Sequence, residues 1–129
     1  MTRSPNVLLV APTPRIAATV SIGLVEAGMR VTLVTSFKAA RQALESSPDL
    51  IISELRLGEY NGLHLALRAH SRGIRAIVLG TNDRVTQHEA QALGADYLLD
   101  DCDPAQVSAA VRAAGVLPRG RFARRTRAA

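Results

Sequence analysis

Glu54 ends an almost wholly apolar run, Leu50-Ile51-Ile52-Ser53-Glu54-Leu55. Such a run predicts a buried strand of a parallel sheet with helices on both faces. An acid at the carboxyl end of that strand stands where open α/β sheets place their chemistry. Two further acids, Asp100 and Asp101, follow the apolar run Tyr97-Leu98-Leu99. If the three met, they would raise one another's pKa or hold an adventitious cation. No ligands of defined spacing accompany them, so the sequence predicts neither a metal nor a cofactor. His64, His70 and His88 lack i, i+4 pairing and read as surface residues. Cys102 has no recognisable base partner, so a nucleophilic role is not expected. Ala11-Pro12-Thr13-Pro14 stands where a glycine-rich phosphate loop would follow the first strand, and no G-x-S-x-G elbow occurs. The chain reads as a protein that is not an enzyme.

Five strand-like runs begin near Asn6, Arg30, Asp49, Arg75 and Asp96, with helical patterns between them. Thr13-Pro14 and Asp103-Pro104 each look like an N-cap followed by proline at the first helical position. Ser36 is expected to cap the second helix, Gly28 to end the first, and Gly73 to end the third. The fourth helix is expected over Asn82 to Leu93. Strands alternating with helices predict an α/β fold, a doubly wound five-stranded parallel sheet with right-handed crossovers.

The chain has 129 residues, 47% hydrophobic but only 3% aromatic, so the core must be built from aliphatic side chains. No apolar stretch approaches the ~20 residues that span a bilayer, and Met1 to Asn6 is too polar for a secretory signal. A single cysteine fits a reducing, cytoplasmic setting. The net charge of +5 is not spread evenly. Acids and bases balance over residues 1–114, and the excess lies in Arg119, Arg121, Arg124, Arg125 and Arg127. Residues 1–116 are therefore read as one neutral domain and 117–129 as a basic, disordered tail.

Three local features, at their spacings, carry a resemblance to the receiver domains of bacterial response regulators. They are the Asp49 to Gly62 segment, Gly94-Ala95-Asp96-Tyr97-Leu98, and Asp103-Pro104. The resemblance spans Val7 to Ala114 and implies a flavodoxin- or CheY-like strand order of 2-1-3-4-5. It also implies a small magnesium site. Such a site has two acids after the first strand, a phosphoacceptor aspartate ending the third, a Ser or Thr ending the fourth and a lysine ending the fifth. Magnesium needs such oxygens, in octahedral geometry at about 2.0–2.1 Å. Here the acidic pair falls on Ala11 and Pro12, the acceptor on Glu54, the hydroxyl on Gly80 or Thr81, and the lysine on Asp100. Tyr97 falls on the aromatic that turns inward in active receivers, or else packs beside the fourth helix.

The resemblance thus implies a degenerate pseudo-receiver: a cytoplasmic, phosphorylation-independent interaction module of two-component signal transduction. Glu54 either imitates the phosphorylated state, with about −1 charge in place of −1.5 to −2, or solvates the strand end. The partner, a signalling protein or a second copy, would dock on the fourth helix, fifth strand and fifth helix, over Arg84, His88, Gln91, Tyr97, Val107 and Arg112. One alternative is a conventional phosphoacceptor with missing ligands supplied by Asp83 or Asp101. Another is association of the five tail arginines with nucleic acid or an anionic surface, with a log–log salt slope of roughly −4.5. Phe122 is the tail's one aromatic, so stacking would add little.

Overall fold

In the computed structural model, residues 4–58 and 60–116 are described. The tail arginines, Phe122 and the 117–129 boundary lie outside them. β1 (Asn6–Val10) leads to α1 (Pro14–Glu26), β2 (Arg30–Val34) and α2 (Phe37–Ala43), which ends in a 3-10 turn at Leu44–Ser46. Then come β3 (Leu50–Glu54), α3 (Gly62–Ser71), β4 (Arg75–Gly80), α4 (Arg84–Ala92), β5 (Asp96–Leu99) and α5 (Pro104–Ala114). The five strands form one parallel sheet in the order β2-β1-β3-β4-β5, as expected. No helix among the described residues is long and apolar enough to cross a membrane.

The alternation of strand side chains divides the core into two layers. Val7, Leu9, Leu50, Ile52, Ile77 and Leu79 point toward α1 and α5, where Val20, Leu24, Val107 and Val111 meet them. Leu8, Val10, Ile51 and Val78 point the other way, onto Ala40, Leu65, Ala66 and Ala90. Each fully buried Leu or Ile contributes roughly 1.5–3 kcal/mol relative to exposure. Because both faces are covered, β3 is buried along its whole length, Glu54 included. Backbone pairing sets Val10 beside Ser53, Glu54 beside Leu79, and Gly80 beside Leu99, so these strand ends share one rim.

Local signals decide the helix ends. The Ser36 hydroxyl accepts from the Ala39 N–H, and Asp103 with Gln106 forms a reciprocal capping box. Asp83 caps α4 by accepting from the Val85 N–H, so this helix starts at Arg84 and not at Asn82. The loop after β3 holds an unforeseen two-residue hairpin, Arg56–Leu57 paired with Tyr60–Asn61. Strands this short leave no readable alternation.

Val107 corrects one expectation. It is 0% exposed, wedged under α1, and forms no part of an outer surface. A Cβ built at Gly23 would lie 2.6 Å from the Pro104 carbonyl oxygen and 2.7 Å from Val107 Cβ. The Ser108 hydroxyl donates to the Gly23 carbonyl at 2.7 Å, fixing the two helices at this close approach. Gly23→Ala gains up to about 1 kcal/mol of helix propensity but overpacks against backbone, at a cost of about 1–3 kcal/mol. We expect a net loss, read as a lower urea midpoint. An unchanged or raised midpoint would show that α1 and α5 separate freely.

Candidate functional site

Glu54 is carried to the rim by β3 and is only 8% exposed. A carboxylate this far from water needs donors of its own. Thr13, in the β1–α1 loop, supplies both. Its backbone N–H donates to Glu54 Oε2 at 2.8 Å, and its hydroxyl donates to Oε1 at 2.8 Å. The side chain of Thr13 therefore leaves its expected helix cap unmade, although Pro14 does open α1. The exchange is favourable because a hydroxyl bound to a carboxylate is charge-assisted, roughly twice as strong as a neutral bond. Glu54 thus neither projects freely nor merely solvates the strand end: it clamps one loop to the sheet.

Around it lies a small cavity of about 60 Å³, lined by Glu54, Leu55, Arg56, Leu79, Gly80, Thr81 and Asp100. That is room for only a few waters or one small ion. Asp100 is held at the strand end by its N–H, which donates to the Gly80 carbonyl at 2.9 Å. Asp101 is exposed and does not line this cavity, so the three acids do not converge. Ala11 is buried and Pro12 is exposed, and neither has a side-chain oxygen. Among the described residues no group of three or more His, Cys, Asp or Glu is placed to hold a metal ion. The donor set fits magnesium poorly: one carboxylate is already bonded through both oxygens, and Asp100 alone is left.

Gly80 is the last residue of β4, so the strand end carries no side chain, and Thr81 is the first residue beyond it. The missing side chain has a use. The ring of Tyr97 lies over Gly80, where an added Cβ would collide with its hydroxyl and come within 2.9 Å of Cζ. From there the phenol donates to the Thr81 carbonyl at 2.7 Å. Tyr97 is half-buried and packs against the layer formed by α2, α3 and α4. Burial pushes its pKa above the usual value, and the charges of Asp83 and Asp100 push the same way. Cys102 is buried, which raises its pKa, with Asp103, Asp101 and Asp100 adding to the effect; it stays a protonated thiol at neutral pH. Asp83 is lowered by the Thr86 hydroxyl and the Val85 N–H.

Two measurements check this geometry. Thr13→Val removes a hydroxyl donor from a buried carboxylate and is expected to lower stability by about 1.5–3 kcal/mol; an unchanged urea midpoint would contradict the clamp. In an absorbance titration of the Tyr60→Phe background, Tyr97 ionises above the ordinary phenol value. Stability held by the neutral phenol is present below the unfolded-state pKa and is lost as pH rises through the folded one. Gly80→Ser expels the ring and returns the titration to the ordinary value; a titration that stays high would contradict the packing.

No protein-family model matches this chain, and no curated protein matches it either. Solved structures do. The chemotaxis response regulator CheY4 of Vibrio cholerae is 21% identical with a TM-score of 0.75, over 86% of this chain and 98% of that one. The signal receiver domain of a signal transduction histidine kinase from Syntrophus aciditrophicus is 25% identical with a TM-score of 0.75, over 92% and 96%. The response regulator DrrB of Thermotoga maritima, an OmpR/PhoB homologue, is 18% identical with a TM-score of 0.76, over 85% of this chain and 52% of that one. The chain has the five-stranded, helix-flanked α/β architecture of CheY-like receiver domains.

Proposed function

We propose that this protein is a pseudo-receiver: a non-enzymatic module of two-component signalling that works in the cytoplasm by binding a partner, without being phosphorylated. One observation carries the reading. At the position that resembles the phosphoacceptor, both oxygens of Glu54 are already bonded to Thr13. Phosphoryl transfer depends on positioning and on neutralising charge around the acceptor. Here Ala11 and Pro12 stand in place of metal-binding acids, and Asp100 puts a negative charge where the resemblance calls for a cation. The engaged carboxylate is also a poor imitation of a phosphoryl group, since its charge is spent on the adjoining loop.

The partner face would be α4, β5 and the outer side of α5. Arg84, His88 and Gln91 are exposed on α4, Val85 beside them is 69% exposed, and Arg112 is exposed on α5. A shallow groove runs along α4 over Arg84, Val85, His88 and Glu89. Exposed aliphatic and arginine side chains on one face suit a signalling protein or a second copy of this chain. With Tyr97 held on the Thr81 carbonyl, the β5 side of that face would present one surface constantly.

Incubation with acetyl phosphate, or with a phosphorylated histidine kinase, in millimolar Mg²⁺ is expected to leave the intact mass unchanged, and beryllofluoride to leave the amide spectrum unchanged. Glu54→Asp alone is expected to stay unphosphorylated, because no acidic pair comes with it. A stable phosphoryl adduct on Glu54 or Asp100 would overturn the proposal in favour of a conventional phosphoacceptor.

A further inference from the structure

The sequence holds two Phe and two Tyr, and two of these four rings meet on the surface, outside the cavity at Glu54. Phe37 at the start of α2 stacks on Tyr60 of the hairpin, with centroids 4.5 Å apart and planes 21° from parallel. His64 of α3 stands edge-on to both, at 6.3 and 5.9 Å. This stack is not hidden: Tyr60 is 51% exposed, and Leu67, one helical turn beyond His64, is 52% exposed. Two depressions, of about 290 and 260 Å³, share His64 and Leu67 as walls. The first reaches Arg41 and Arg68, the second Leu63 and Leu93. They adjoin at these two residues, the first lined by both arginines and the second by aliphatic side chains.

Charge decides what suits them. Arg41 and Arg68 are exposed, and neither meets a carboxylate among the described residues. α3 carries no acid, and Glu45, beyond α2, is bound to Arg72 at 2.7 Å. Glu59 lies outside the described residues. Guanidinium groups in such a setting bind carboxylates through two parallel hydrogen bonds, and exposed Tyr and Arg beside aliphatic residues are the composition that dominates protein-binding energy. Two adjoining depressions, reaching from Arg41 of α2 to Leu93 after α4, favour an extended chain over a compact anion.

We propose that these adjoining depressions bind an acidic segment of another protein, its carboxylates on Arg41 and Arg68 and a following apolar side chain over Leu67 toward Leu63 and Leu93. The surface shares none of the residues named for the α4–β5–α5 face and does not rest on the phosphorylation reading.

The test uses the full chain, isotopically labelled, and a fluorescent peptide of four alternating Asp and Glu residues followed by Leu-Leu-Phe. A control peptide has Asn and Gln in place of the acids. The acidic peptide is expected to bind saturably, to shift the amides of Tyr60, His64 and Leu67, and to weaken as salt rises. The double variant Arg41→Glu with Arg68→Glu, checked to unfold at the wild-type midpoint, is expected to bind about tenfold or more weakly, and Tyr60→Ala also more weakly. Equal binding of the neutral peptide would overturn the proposal. So would wild-type affinity in the double variant, shifts confined to α4 or the rim, or no saturable binding at all.

Discussion

A carboxylate moved out of water must either find hydrogen-bond donors or give up its charge. Glu54 meets that requirement from a single residue, Thr13, which offers a backbone N–H and a hydroxyl, one to each oxygen. The consequences spread along the rim. The β1–α1 loop is bonded to β3, Pro14 opens α1 without help from the Thr13 side chain, and the cavity beside Glu54 measures about 60 Å³. A glutamate can do this because its extra methylene reaches across to the loop. Ala11, buried and with no polar side-chain atom, does not compete for the donors. The loop that binds metal in working receivers, as the resemblance has it, is here tied to the sheet by the acceptor position itself.

The far side of the rim is fixed by a second, sterically simpler device. Gly80 ends β4 without a side chain, Tyr97 fills the vacated volume, and its hydroxyl finds the Thr81 carbonyl. Clamp and ring lie on either side of the same small cavity, one through Glu54 and the other through Gly80 and Thr81. Both rest on bonds that the folded chain makes for itself, and a surface held in that way suits constant recognition better than switching.

Much of this was legible in the sequence, because the signals were periodic or local. Alternation in Val7-Leu8-Leu9-Val10 and Leu50-Ile51-Ile52 sorted side chains between two helix layers, and proline or short polar residues marked the starts of α1, α2 and α5. Placing Glu54 at a strand end followed from the same pattern. What stayed hidden was contact between distant residues. Thr13 and Glu54 are 41 positions apart, and Thr13 also satisfied a helix-cap pattern that accounted for it fully. The resemblance places Val107 on the partner face, whereas its helical spacing to Val111 and Ala114 is that of the buried stripe, and Gly23 lets α1 cover it. The stack of Phe37 on Tyr60 joins a helix start to a hairpin too short to be seen.

The central claim is that Glu54 stays closed on Thr13 under the conditions in which a receiver would react. A long-range carbon–nitrogen NMR experiment, which detects coupling through a hydrogen bond, reads it directly. The account predicts a cross-peak between the Thr13 amide nitrogen and the Glu54 side-chain carboxyl carbon, unchanged by millimolar Mg²⁺ and beryllofluoride together. Loss of that cross-peak on adding them, with new shifts around the cavity, would show that Glu54 opens to a ligand and would contradict the account.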